Sequence, residues 1–526
     1  MKYPIGIQDF EKLRHDGYVY VDKTRQIYSL ASTGCYYFLG RPRRFGKSLL
    51  ISTMEAYFLG KKELFKGLAM EELEDEWNVH PVLHLDLNTG TYDSVDALRK
   101  IIDNFLVQWE NIYGTARGEE TQPLRFKGVI QRAFEKAVRQ AVILVDEYDK
   151  PLLLNFDKPD LQDELRKELK AFYSVLKTQD RYIRFAFLTG ITKFGKVSVF
   201  SDLNNLQDIS MSANYADICG ITEKEIHQYF ELSIHELAEA KGMTYEQALA
   251  RLKLQYDGYH FEHDTPGVYN PFSLLNTLKE KTFKDYWFET GTPTYLVDML
   301  QVSGWDVSRL QNEELSAMHI KSIDMAPQNP VPLIYQSGYL TIKGYDERFQ
   351  TYQLGFPNKE VENGFAMFLL SYYMPVKDSD TEFAARNFVR EIESGDVDGF
   401  MSRLQTFFDA CHYRIAVKKE ADFQSALFII FTVFGMYVEV EQASSRGRAD
   451  IVMKTSDYVY IIECKLDGTA QNALKQIDDK GYANPFAHDK RTIYKIGVSF
   501  SSERRTISEW QVEGYTVPEN LDRLIK

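Results

Sequence analysis

The sequence predicts an α/β protein with an N-terminal parallel sheet carrying a P-loop, a helical connector, and a C-terminal α/β domain built around a β-hairpin. Three observations predict it. The apolar run Cys35 to Leu39 stops at Arg41 to Ser48, which reads Arg-Pro-Arg-Arg-Phe-Gly-Lys-Ser; the apolar run Ala141 to Val145 stops at Asp146 and Glu147; and Asp450 is followed by a strand-like segment carrying Glu463 and Lys465. Strand-length apolar runs alternate with helix-length segments through the first half. That rhythm is a sheet with crossover helices, whose ligands sit beyond the carboxyl ends of the strands.

In the first motif, Gly46 leaves successive backbone N–H groups free to face an anion, Lys47 reaches the outer phosphates, and the Ser48 hydroxyl ligates Mg²⁺. The usual first glycine of such a loop falls at Arg41, and this chain has its glycine one position earlier, at Gly40. The helical pattern of Leu49, Leu50, Thr53, Met54, Tyr57 and Phe58 follows directly. The second motif ends a buried strand in carboxylates. Asp146 is placed to hold Mg²⁺ through water and Glu147 to polarise the attacking water, because phosphoryl transfer needs positioning and charge neutralisation more than covalent chemistry. No guanine-selecting motif stands out, so the expected nucleotide is ATP. Val82 to Leu87 reads as a further buried strand, and Arg184 to Gly190 as another, on which Thr189 falls where a γ-phosphate sensor sits or else caps the next turn. The nucleotide-binding set is therefore Gly40, Arg44, Gly46, Lys47, Ser48, Leu49 and Thr189.

At 526 residues the chain is too long for one ordinary core. Hydrophobic residues make up 44% and charged residues 26%, which excludes a disordered or fibrous chain. Aromatics reach 14%, and packing accounts for them without a base-stacking role. The formal net charge of −14 opposes a protein that coats nucleic acid non-specifically, since that needs clustered Lys and Arg, but leaves room for a local basic groove. Four scattered cysteines indicate neither zinc nor disulfides and fit reduced thiols. The N-terminus lacks the apolar region of a secretory signal, and the longest apolar stretch, Ala426 to Val438, is shorter than the roughly 20 residues a membrane helix needs. A cytoplasmic protein with no membrane partner is expected.

From Ile221 the pattern turns helical, as a lid or connector. Tyr256 to Phe261 and Val268 to Leu275 bracket a turn-rich loop or hairpin that reads as packing, Glu289 to Thr294 as a helix-entry loop, and Asp324 to Pro332 as a linker. Pro375 to Asp380 is polar and turn-prone, which gives the division 1–220, 221–378 and 379–526.

The C-terminal constellation follows from strand period. Ala449 to Met453, a turn at Ser456 and Asp457, and Tyr458 to Lys465 form a hairpin by pattern, and alternation points Glu463 and Lys465 to one face. Two carboxylates and a lysine around one Mg²⁺ are what metal-assisted phosphodiester hydrolysis requires. The plainer reading of Glu463 and Lys465 is an exposed cross-strand ion pair. Arg446 and Arg448 flank the acid, to steady a scissile backbone or as solvated turn residues.

With these residues the segment resembles the PD-(D/E)xK nuclease superfamily, Asp450, Glu463 and Lys465 matching its Asp, Glu and Lys. Glu420, before the core, matches its additional acid, and Gln476 and Tyr482 fall on the helix after Lys465. The whole chain resembles a bacterial and archaeal family that joins an N-terminal AAA-ATPase-like domain to a restriction-endonuclease-like PD-(D/E)xK domain. The resemblance is carried by Pro4 to Phe10, Tyr20 to Thr24, Arg41 to Ser48, Val145 to Asp149, Leu188 to Thr192, Tyr256 to Phe261 and Gly447 to Lys465. One departure is Gln424, where many members place a histidine. The resemblance implies this pair of folds and its candidate sites, with catalysis at Asp450, Glu463 and Lys465 and metal at Asp450, Glu463 and Glu420, but supplies no established substrate; ATP and Mg²⁺ as cofactors, catalysis by Glu147 and metal at Ser48 and Asp146 are expected from the motifs themselves, and DNA as partner from the co-occurrence of the two constellations. Oligomerisation stays open, as does the choice between an ATP-coupled nuclease, a signalling or scaffold ATPase that binds without cutting, and a nucleotide switch with negligible turnover.

Overall fold

A computed structural model of the chain describes residues 1–193, 205–288, 313–321, 329–373, 387–411, 439–442, 450–487 and 489–516, with 296, 299, 323 and 430. Two compact units emerge, one of residues 1–299 with 310–361, the other of 300–309 with 362–526.

The first unit is organised by a sheet of β1 (Tyr36–Gly40), β2 (Val82–Asp86), β3 (Ala141–Asp146), β4 (Ile183–Gly190) and β5 (Gln207–Asp208), in the order β2-β3-β4-β1-β5. Every strand pair is parallel. The strands read as apolar runs because both sheet faces are covered: β3 is buried along its whole length and β4 at all but Arg184. β2 differs from the fully buried strand its sequence suggests. It lies at the edge, and only Leu83 and Leu85 are buried while Val82, His84 and Asp86 are half-exposed. β4 is inserted between β1 and β3, and the register sets Leu39 beside Thr189 and Val145 beside Leu188. The tips of the two motif strands are therefore held apart by the width of one strand.

Helices Val95–Tyr113, Gln122–Ala137 and Pro159–Tyr173 lie in the connections around β2 and β3, and their aromatics pack on one another. Trp109 stacks on Phe126 at 5.7 Å, and Phe126 on Phe172 at 4.5 Å and 10° between ring planes. The abundance of rings is thus accounted for by core geometry at these positions.

The helical stretch begins as its sequence requires. Thr222 and Glu225 close a capping box on Glu223–Lys241, and Thr244 and Gln247 close one on Tyr245–Tyr256, each satisfying backbone donors that would otherwise have no partner. Ile226, Phe230, Ile234, Leu237, Leu252 and Leu274 make one core with the helix Pro271–Glu280. Strands occur here as well: the short antiparallel pair β6 (Ile221–Thr222) and β7 (Val268–Tyr269), buried except at Thr222, and an antiparallel sheet of β8 (Glu313–Ser316), β9 (Thr341–Asp346) and β10 (Thr351–Gly355). The helix Val331–Gln336 falls at the end of the expected linker.

The second unit holds a mixed sheet of β11 (Glu439–Gln442), β12 (Ile451–Lys454), β13 (Tyr458–Leu466), β14 (Thr492–Ser501) and β15 (Thr506–Thr516), in that order, with β13 and β14 parallel and the other pairs antiparallel. The expected hairpin is β12–β13, closed where Thr455 N–H donates to the Tyr458 carbonyl at 2.9 Å. The helix Ala470–Asp479 connects β13 to β14. It comes unusually close to the sheet because β14 has Gly497 opposite Glu463. A Cβ there would sit 2.2 Å from the Ala470 carbonyl oxygen and 2.9 Å from Leu474 Cγ. Tyr482 lies beyond this helix rather than on it. Gly481, at φ 63°, reverses the chain, and the N–H groups of Gly481 and Tyr482 reach back to Asp478 and Ile477.

Candidate nucleotide and nuclease sites

The chain after β1 turns through Arg44 at φ 69° and Gly46 at φ 90° before entering the helix Lys47–Phe58. Lys47 is buried. Its ammonium donates to the carbonyls of Arg41 at 3.0 Å and Pro42 at 3.2 Å and lies 3.6 Å from Glu147 Oε1. A cavity of about 750 Å³ opens beside it, within the range of small-molecule sites. Arg44, Gly46, Lys47, Ser48, Leu49 and Glu147 all belong to its wall. Gly40, Asp146 and Thr189 do not. Gly40 donates its N–H to Ser210 Oγ at 2.8 Å. Asp146 is buried behind the wall, where its Oδ1 accepts from the Thr189 hydroxyl at 2.5 Å, so β4 links the tips on either side of it.

Arg41 fills the place of the usual first glycine and points inward. Its guanidinium donates to the carbonyls of Gly40 at 2.9 Å, Ser210 at 2.7 Å and Tyr215 at 3.0 Å, and lies 3.9 Å over the Phe261 ring. Burial pulls its pKa down to about 10, so it remains charged near neutral pH. The variant loop is therefore clamped by side chain to carbonyl bonds, and the segment that looked like packing cradles it. Phe45 packs on Tyr259 at 4.7 Å and Phe261 at 5.6 Å, and Pro271, Phe272 and Leu275 join the cavity wall. On another side the wall is Pro4 to Gln8, anchored by the preceding Tyr3, whose hydroxyl donates to Ser233 Oγ at 2.7 Å.

At the tip of β3, Glu147 takes φ 55°, a left-handed conformation that costs a side-chain residue of order 1 kcal/mol. The turn is held by Tyr148 N–H on the Thr189 carbonyl at 3.0 Å and by Asp149. Asp149 is fully buried and accepts from the backbone of Ile191 at 3.0 Å and from Thr192 N–H at 2.7 Å and its hydroxyl at 2.8 Å. Burial, then the Glu147 charge, push its carboxyl up to about 7 against those bonds. Sequence reading assigned it no role, although the run Val145 to Asp149 was the available signal.

In the second unit, Asp450 Oδ2 accepts the Cys464 N–H at 2.9 Å, which brings the first-strand acid to β13. Glu463 and Lys465 share a face as period two requires, and the Lys465 ammonium lies 3.2 Å from Glu463 Oε1. Gln476, brought in by the close helix, accepts from Lys465 at 2.6 Å and donates to Glu463 Oε1. Glu463 is only 2% exposed, and burial, then Asp450, raise its pKa while Lys465 opposes them. Its Oε2 is buried without a hydrogen-bond partner. A buried, unpartnered carboxylate oxygen beside a second carboxylate fits a divalent cation, since Mg²⁺ is held by one or two carboxylates and keeps its waters. Among the described residues no group of three or more His, Cys, Asp and Glu could hold a metal ion. Glu420, Gln424, Arg446 and Arg448 lie outside the described residues, as do the helix-entry loop from Glu289, most of Ala426 to Val438, and the turn from Pro375.

The first unit holds an AAA-like α/β ATPase domain and the second holds a PD-(D/E)XK α/β domain: models for a predicted AAA-ATPase and for the PD-(D/E)XK nuclease superfamily match residues 4–200 and 418–510. The chain belongs to the family that joins these two domains. One relative, described as an uncharacterized protein in the vnfD 5′ region of Azotobacter chroococcum mcd 1, is 35% identical over 523 residues, 97% of this chain and 99% of that protein. The ORC2 protein of Aeropyrum pernix, solved as ADPNP and ADP complexes, matches 66% of this chain and 88% of its own at 11% identity and a TM-score of 0.24. Among the described residues no helix is long and apolar enough to cross a membrane.

Proposed function

We propose that this chain is a cytoplasmic ATP-hydrolysing protein whose nucleotide state governs a Mg²⁺-dependent nuclease acting on DNA. The meeting of Lys47 and Glu147 at 3.6 Å on the wall of one cavity is the observation that supports it most directly. In this reading the triphosphate lies over the loop Arg44 to Leu49, with Lys47 on its outer phosphates. Water deprotonated by Glu147 attacks the γ-phosphorus, the bond from phosphorus to the β–γ bridging oxygen breaks, and ADP leaves with the electron pair. Thr189 orients Asp146. Divalent cations held by Ser48 and Asp146 at one site, and by Asp450 and Glu463 with Glu420 at the other, would neutralise phosphate charge. At the second site Lys465, fixed by Gln476, orients or deprotonates the water that attacks a phosphodiester. Residues 1–220, 221–378 and 379–526 serve as ATPase, connector and nuclease.

The net charge of −14 favours a second reading, in which the nuclease-like domain binds nucleic acid or protein without cutting. Cleavage of single-stranded and plasmid DNA by wild type, Lys465→Ala and Lys47→Ala, in Mg²⁺ or Mn²⁺ with and without ATP, separates the two. Cutting lost in Lys465→Ala, with an ATP dependence lost in Lys47→Ala, supports the coupled nuclease. ATP hydrolysis with no cutting under any condition favours the scaffold.

A further inference from the structure

We propose that Lys150 is the γ-phosphate cation of the nucleotide site, supplied by the chain itself from the side of the cavity opposite the P-loop; the proposal rests on the ATP-site reading above. Phosphoryl transfer spreads charge over the equatorial oxygens of the transferred group, and ATPases meet it with a second cation besides the P-loop lysine. The cavity wall offers three further cations: Arg43, Arg44 and Lys150. Arg44 lies 4.5 Å over the Phe272 ring, on the Pro271–Glu280 helix, and Arg43 lies 5.7 Å from the Trp287 ring. Both arginines are committed to the flank where the loop meets the helical layer.

Lys150 stands elsewhere. It opens the short helix after the Glu147 turn, its N–H donating to the Glu147 carbonyl at 3.1 Å. Its ammonium is fixed at the tip of β2, donating to the Asn88 carbonyl at 2.5 Å and to Asn88 Oδ1 at 2.6 Å. Asn88 is brought level with the β3 tip by register: Asp86 pairs with Asp146, and Leu87 N–H donates to the Asp146 carbonyl at 3.1 Å. In the order β2-β3-β4-β1-β5 the β3 tip lies between the β1 loop and the β2 tip. A phosphate chain entering over Lys47 and Ser48 and ending near Glu147 therefore has Lys150 beyond its last phosphate. Two of the three ammonium donors are taken by Asn88, which leaves one for a γ-phosphate oxygen. Asn88 is the positioning residue.

The contact exists only for a triphosphate, so the test is a comparison of ligands rather than a loss of activity. Calorimetric titrations of the full chain with AMP-PNP and with ADP, in Mg²⁺, are made for wild type, Lys150→Ala, Lys150→Arg and Asn88→Ala. A charge-assisted hydrogen bond predicts that Lys150→Ala loses about 10- to 100-fold in AMP-PNP affinity while ADP changes less than about twofold. Lys150→Arg should restore most of the loss, and Asn88→Ala should show a smaller loss of the same selectivity. An unchanged AMP-PNP to ADP ratio overturns the assignment, and so does an equal loss of both, which marks a structural role. No binding of either nucleotide by wild type overturns the ATP-site reading itself.

Discussion

Asp149→Asn tests whether a buried acid at the Glu147 turn is held partly neutral. The carboxyl is fully buried, accepts three hydrogen bonds on Oδ2 and none on Oδ1, and faces Glu147, whose charge adds to burial in raising its pKa to about 7; Lys47 opposes. In the unfolded chain an aspartate ionises near about 4. Because the folded value is the higher one, the native state holds a proton that the unfolded chain has released. The stabilising contribution is complete below about pH 4 and is lost as pH rises through about 7. Between about pH 6 and about pH 8.5 the native carboxyl goes from mostly protonated to mostly ionised, which removes about 1.4 kcal/mol of stability. Asparagine has the same shape and cannot ionise, so the variant should lack this slope. Native-state hydrogen exchange of the β3 and β4 amides reads the opening free energy of this unit without requiring the whole chain to unfold in one step. The wild-type opening free energy should fall by about 1.4 kcal/mol relative to Asp149→Asn over that range. Parallel slopes for the two proteins would refute the reasoning and show that the Thr192 and Ile191 donors keep Asp149 ionised throughout.

Arg41→Ala should destabilise the first unit by about 3–5 kcal/mol, because the carbonyls of Gly40, Ser210 and Tyr215 lose a buried shared donor; thermal melting reads it, and Arg41→Lys should recover only part, since one ammonium cannot reproduce the guanidinium fork. The raised pKa of Glu463 makes protons compete with a cation at higher pH than at an ordinary glutamate, so calorimetric Mn²⁺ affinity should fall as pH is lowered, and Glu463→Gln should remove the dependence along with the binding. Gly497→Ala should cost the second unit about 1–3 kcal/mol in urea unfolding, as a methyl 2.2 Å from the Ala470 carbonyl pushes the Ala470–Asp479 helix off the sheet and withdraws Gln476 from Glu463.

The strands that carry the candidate sites were legible because each obeys a local rule. β1, β3 and β4 are continuous apolar runs since both sheet faces are covered, and Glu463 and Lys465 share a face because a strand has period two. What sequence alone did not disclose depends on long-range pairing. The insertion of β4 between β1 and β3 follows from how crossovers pack, so the bond from Thr189 to Asp146 could not be read from either segment. The sheet of β8, β9 and β10 escaped notice because none of its strands is a continuous apolar run, β9 includes the pair Lys343 and Gly344, and β10 also pairs with the distant β8. Arg41 announced itself as an oddity at a glycine position, but its carbonyl partners at Ser210 and Tyr215 come from elsewhere in the chain. Pro271, Phe272 and Leu275 have the composition of packing residues, and only the folded chain brings them to the cavity wall.

Trp287 gives the protein an optical probe of the loop from Arg41 to Ser48. Its indole is buried among Tyr339 and Phe288, and its Nε1 donates to the Arg43 carbonyl at 3.2 Å, inside the turn that precedes Lys47. Any ligand that reshapes that turn must lengthen, shorten or break this bond, and indole emission responds to the loss or gain of a polar partner. Only five tryptophans share the signal, so its contribution can be isolated by a single Trp287→Phe subtraction. Occupancy of the loop can therefore be followed in stopped flow on unlabelled protein.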